Sequence, residues 1–105
     1  MMKNLSDRSI YFAVRDAGII ASQKEFSRLC GRSPGWFAVL AARGLGMSIT
    51  ALGVLAANLA RGASETGDED QCQTLGALKA QVLQAMSARC ESRARSATRF
   101  PLDQF

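Results

Sequence analysis

The chain has 105 residues, a net charge of +4 and 48% hydrophobic residues, a size and composition that suit one small domain with a modest core. It has no histidine, and its three cysteines (Cys30, Cys72 and Cys90) are odd in number and lack paired metal-ligand spacing. Imidazole-based triads and proton shuttles are thereby excluded, and a zinc site is not expected. Proline and β-branched residues are few while Ala, Leu, Arg and Ser are plentiful, which points to an all-α chain.

The first helix is expected over residues 6–17. Ile10, Ala13, Val14 and Ala17 form its apolar stripe, Ser6 or Asp7 caps its start, and Gly18 stops it. Tyr11 and Phe12 are adjacent, so only one of them points at the centre of the core. After the connector Ile19-Ile20-Ala21, Ser22 with Glu25 three residues on forms a capping box and opens a second helix, whose Phe26, Leu29 and Cys30 share a face. Gly31 marks a tight turn. Ser33 followed by Pro34 then reads as an N-cap with proline in the first helical position, opening a third helix through Ala42 with Phe37 and Leu40 inward. The segment Arg43-Gly44-Leu45-Gly46-Met47 separates it from a fourth helix. That helix is capped by Ser48 and striped by Ile49, Leu52, Leu55, Ala56 and Leu59.

Residues 61–70 are small, polar and acidic, and read as an exposed linker whose Asp68, Glu69 and Asp70 favour the start of the next helix rather than a metal. From about Asp70 to Arg95 a long helix carries Leu75, Leu78, Val82, Met86 and Cys90 on one stripe, with Leu83 and Ala85 beside it and Arg89, Arg93 and Arg95 toward its end. Such a helix either folds back on the domain or pairs with a second copy, and a homodimer through this stripe is expected. The tail from Arg99 to Phe105 is expected to fray unless Phe100 docks. The organisation expected is therefore a helix-turn-helix domain over 1–61, an acidic linker over 62–70, and an amphipathic helix with tail over 71–105.

From Ser22 to Leu59 the chain resembles the phage-repressor-like (Cro and lambda repressor) helix-turn-helix family. Ser22-Gln23-x-Glu25-Phe26-Ser27 is similar to that family's opening Thr-Gln-x-Glu-Leu-Ala, and Gly31-x-Ser33 to its Gly-x-Ser turn. Phe37 and Leu40 fall on its two buried recognition-helix positions, and Ser48-Ile49-x-x-Leu52-x-x-Leu55-Ala56 on its closing helix. The resemblance implies a four-helix core, followed here by the longer C-terminal helix, and double-stranded DNA as the partner of a small transcriptional regulator of bacterial or phage type.

Charge agrees with a polyanionic partner. Residues 1–61 hold eight Lys/Arg against three Asp/Glu (net +5), residues 62–70 hold four acids and no base (−4), and residues 71–105 hold five bases against two acids (+3). The candidate DNA-binding residues are Gln23, Lys24, Arg28, Arg32, Ser33, Trp36, Val39 and Arg43. Gln23 opens the helix from which the family touches backbone phosphate, and Lys24, Arg28, Arg32 and Arg43 supply the phosphate attraction. The reading face departs from the family: Pro34, Gly35, Ala38, Val39 and Ala42 offer no side-chain hydrogen bond to a base, and only Arg32, Ser33 and Arg43 remain as polar readers. This favours a second reading, an antiactivator-like protein-interaction module using Trp36 and Val39 against a protein partner.

No cofactor is expected, and no enzyme, since the chain has neither a glycine-rich phosphate loop nor a separated pair of carboxylates placed by a motif. A cytoplasmic protein with reduced thiols is expected, because the N-terminus lacks an apolar leader. Gly44 to Ala60 is uncharged for 17 residues, short of the ~20 a span needs, and is interrupted by glycines, Ser48, Thr50 and Asn58, so no membrane segment is expected.

Overall fold

The structure, a computed structural model, describes residues 5–97 and the side chains of residues 8–92. Among the described residues there are five helices and no strand: α1 (Leu5–Asp16), α2 (Gln23–Leu29), α3 (Trp36–Ala42), α4 (Ile49–Glu65) and α5 (Glu69–Ala97). The chain is all-α, as its composition implies. α1 already begins at Leu5, so Ser6 and Asp7, expected to cap it, fall within its first turn; the basic side chains of Arg93 and Arg95 and the docking of Phe100 lie outside what the structure describes.

One core joins all five helices. Ile10, Tyr11 and Val14 enter it from α1, Phe26 from α2, Phe37 from α3, Ala51, Leu52, Leu55, Ala56 and Leu59 from α4, and Leu75, Leu78 and Val82 from α5. At its centre three rings meet. Tyr11 stacks on Phe37 at 5.1 Å between centroids, and Phe26 stands edge-on to both at 5.3 and 4.8 Å. Tyr11 takes the inward position of the adjacent aromatic pair. Phe12 faces outward beneath the Arg15 guanidinium, 4.8 Å from its ring centre.

The structure shortens the expected linker and, of the two courses expected for the C-terminal helix, shows it folding back on the domain. First, α4 runs on to Glu65, so the connection to α5 shortens to Thr66–Asp68. Packing carries the helix through this small polar stretch: Gly62 lies under Leu75, where an added Cβ would sit 3.4 Å from a leucine methyl. Second, α5 turns back and runs antiparallel to α4, with Leu75 at Gly62, Met86 at Gly53 and Arg89 at Met47. The stripe expected to meet a second copy is therefore spent within the chain as far as Val82. Met86 is half-buried and Cys90 exposed. Asp68 caps α5, its carboxylate accepting the N–H groups of Asp70 and Gln71 at 2.9 and 3.4 Å.

Candidate functional site

The α2–turn–α3 unit is built by hydrogen bonds that run both along and across the chain. Ser22 caps α2 with its hydroxyl, which accepts the Glu25 N–H at 3.3 Å. The reciprocal arm of the box reaches one residue further than expected, the Glu25 carboxylate accepting the Ala21 N–H at 2.7 Å rather than that of Ser22. At its other end α2 closes in a Schellman motif, with Gly31 N–H on Arg28 O and Arg32 N–H on Ser27 O, both at 2.9 Å. Gly31 has φ +74°, and an added Cβ would also press on Val54 at 3.1 Å, so the turn needs glycine twice over.

The start of α3 differs from expectation. Ser33 does not cap it: Ser33-Pro34-Gly35 forms a turn in which the Ser33 carbonyl accepts the Trp36 N–H at 3.0 Å, and the helix starts at Trp36 with Gly35 as an N-cap that has no side chain to offer. The capping acceptor comes instead from α2. Fully buried Ser27 accepts the Phe37 N–H at 3.0 Å and donates to the Gln23 carbonyl at 3.0 Å, so one hydroxyl ties the first turn of α3 to the first turn of α2. The sequence pattern, which lines up Phe26, Leu29 and Cys30 on one face, passes over Ser27. Nor does it mark Asn58, whose amide donates to the Leu29 carbonyl at 2.7 Å and accepts from Arg61, fastening α4 to the end of α2.

With Phe37 buried and Trp36, Leu40 and Ala41 partly buried, α3 turns Ala38, Val39 and Ala42 to the outside, Val39 at 53% exposure. The candidate residues divide around this face. Arg32 lies over the Trp36 ring, its guanidinium 5.6 Å from the ring centre, at the leading end of α3. Arg43, exposed, forms the C-cap at the far end. Trp36 is half-buried, its ring 6.3 Å from that of Phe37. Ser33 and Lys24 are exposed. Gln23 lines a recess of about 190 Å³ with Arg8 and Phe12 of α1 and with Phe37 and Ala41 of α3. Arg8 thereby joins the set. The sequence hides it, because it precedes Gln23 by fifteen residues and belongs to no local motif.

Arg28 is placed apart from α3. It lines an open groove of about 600 Å³ between α2 and α4 with Glu25, Asn58, Arg61 and Glu65. Arg15 and Asp16 form an exposed ion pair at 3.7 Å, and none of Lys24, Arg28, Arg32 or Arg43 has a carboxylate partner among the described residues. These cations are available to an anion. Cys30 is buried against the core, and burial pushes its thiol up to about 12.

The matched region of a family model decides where this architecture belongs. The chain belongs to the DUF6626 family. That family is described as one of unknown function, and its model matches residues 8–99, from α1 to beyond the end of α5. The DUF6626 match thus covers the α2–turn–α3 unit and the returning helix together. No curated protein and no solved structure matches the chain. Among the described residues no cluster of three or more cysteines and carboxylates is placed to hold a metal ion, and no helix is long and apolar enough to cross a membrane.

Proposed function

We propose that this DUF6626 chain is a small, cytoplasmic helix-turn-helix protein that binds duplex DNA and regulates transcription. In this reading α3 lies in the major groove, Arg32 and Arg43 hold phosphates at its two ends, and Lys24, Gln23 and Arg8 hold the backbone beside it. The observation that carries the reading is the α2–turn–α3 unit itself. Its two short helices are locked by Ser27 and Gly31, and the outer face of α3 is left clear of the core between two arginines that have no carboxylate partner among the described residues.

The test is titration of the full chain against random-sequence duplex DNA over a salt series. Binding at low salt that weakens steeply as salt rises is expected, as is a several-fold loss in Arg32→Ala and in Arg43→Ala. Absence of binding at low salt, or undiminished binding by both variants, overturns it.

A protein-interaction module is the second reading, favoured by the exposure of Val39 and Leu45, both at 53%, in and just after an α3 that has no polar reader at its middle. Under that reading Val39→Glu abolishes capture of a protein partner, and the arginine variants leave capture intact.

A further inference from the structure

We infer that α3 reads DNA through C5-methyl groups, those of thymine and of 5-methylcytosine, and not through base hydrogen bonds. The inference rests on the DNA-binding reading and names what the exposed face of α3 selects.

Pro34, Gly35, Ala38, Val39 and Ala42 are all exposed along this segment, and none has a side-chain donor or acceptor. Arg32, drawn over the Trp36 ring, and Arg43, at the C-cap, lie at the two ends of α3 and not on this face. A face of this kind gains nothing from the donors and acceptors of the groove floor, and it leaves any polar base edge it covers without a partner. The C5-methyl is the apolar group displayed there, and an aliphatic side chain is its complement. Val39, at 53% exposure, is the one side chain of this face large enough to enclose such a methyl. Ala38 and Ala42, beside it, are small enough to let the helix approach. The basic surround explains why nucleic acid, and not a neutral apolar surface, is the occupant: Lys24, Arg32 and Arg43 are exposed without carboxylate partners among the described residues, within a segment of net charge +5 over residues 1–61.

The experiment compares the full chain on a short random duplex pool of A·T pairs with the matching A·U pool. Uracil keeps every hydrogen-bonding group of thymine and lacks only the methyl. Wild type is expected to bind the A·U pool about three- to fivefold more weakly per enclosed methyl, the worth of burying one such group. Converting cytosine to 5-methylcytosine in a random G·C pool is expected to strengthen binding by a similar factor. In Val39→Ala the A·T and A·U pools should bind alike, with the salt dependence kept.

Equal binding of the two pools by wild type overturns the inference, and so does a preference that survives in Val39→Ala, because it would then come from duplex shape. Failure to bind any pool at low salt overturns the DNA-binding reading beneath it, so the two failures are distinct.

Discussion

Ser27 and Cys30 are neighbours on one buried side of α2, and each makes a separate demand on the fold. The Ser27 hydroxyl is the acceptor for the Phe37 N–H, a group at the start of α3 that burial keeps from water. Ser27→Ala leaves that N–H unsatisfied, a loss of about 1–3 kcal/mol, visible as a lower urea midpoint at unchanged m-value. Ser33→Ala, which the sequence marks as the capping substitution, is expected to fall within about ±0.5 kcal/mol because Ser33 contributes its carbonyl and not its hydroxyl. Cys30 is held neutral by burial, with its pKa raised from 9.0 to about 12. Below pH 9 both folded and unfolded chains keep the thiol protonated. Above it the unfolded thiol ionises and the folded one does not, so stability falls by about 1.4 kcal/mol per pH unit between roughly pH 9 and 12. Unfolding free energies of wild type and Cys30→Ala, followed through that window, should show the steeper fall in wild type. Parallel curves would mean that the thiol does not titrate differently on folding. At pH 8 an aromatic disulfide reagent should react fast with exposed Cys72 and Cys90, and with Cys30 only as the chain unfolds.

At the scale of elements, α5 is a structural member of the domain. Leu75, Leu78 and Val82 are buried to within 6% of full coverage, and each contributes about 1.5–3 kcal/mol by leaving water. Their sum is comparable with the whole stability of a domain this size, about 5–15 kcal/mol. A chain ending at residue 68 is therefore expected to lose cooperative unfolding and most of its helical circular dichroism. A sharp thermal transition in that fragment would show that the first four helices suffice. The elements legible in the sequence were those set by local chemistry: the Ser22 and Ser48 caps, the glycine turns at Gly18 and Gly31, and the apolar stripe of α4. Those misread were set by distant partners. Ser33-Pro34 has the local form of a helix start, yet the acceptor that caps α3 arrives from ten residues earlier. Residues 61–65 have the composition of a linker, yet α5 lying on Gly62 holds them helical. Propensity yields to tertiary packing in both cases. The candidate site divides in the same way: Trp36 and Val39 follow from their spacing on α3, and Arg32 and Arg43 from flanking it in the chain, whereas Arg8 reaches it through the packing of α1 and Arg28 leaves it for the α2–α4 groove.

The whole molecule is elongated, 52 × 31 × 23 Å, and α5, about 43 Å long at 1.5 Å per residue, accounts for much of the longest dimension. Its charge is divided along the sequence: the acidic stretch over residues 62–70 lies where α4 turns into α5, and residues 1–61, which hold α1 to α3, are net basic. In the docking proposed above, a duplex on α3 is held by Arg8, Lys24, Arg32 and Arg43. Counterion release sets what this number means, since each neutralised phosphate adds about −0.9 to the slope of log affinity against log salt. Four contacts give a slope of about −3.6. Arg43→Ala and Arg8→Ala should each reduce its magnitude by about one, and Arg28→Ala, placed in the other groove, should leave it nearly unchanged. The Arg8 result is the discriminating one, because only the packed arrangement of α1 against α2 and α3 brings that residue to the site. A slope unaltered by Arg8→Ala but reduced by Arg28→Ala would place the duplex across the α2–α4 groove instead, and would move the interface from the face of α3 to its flank.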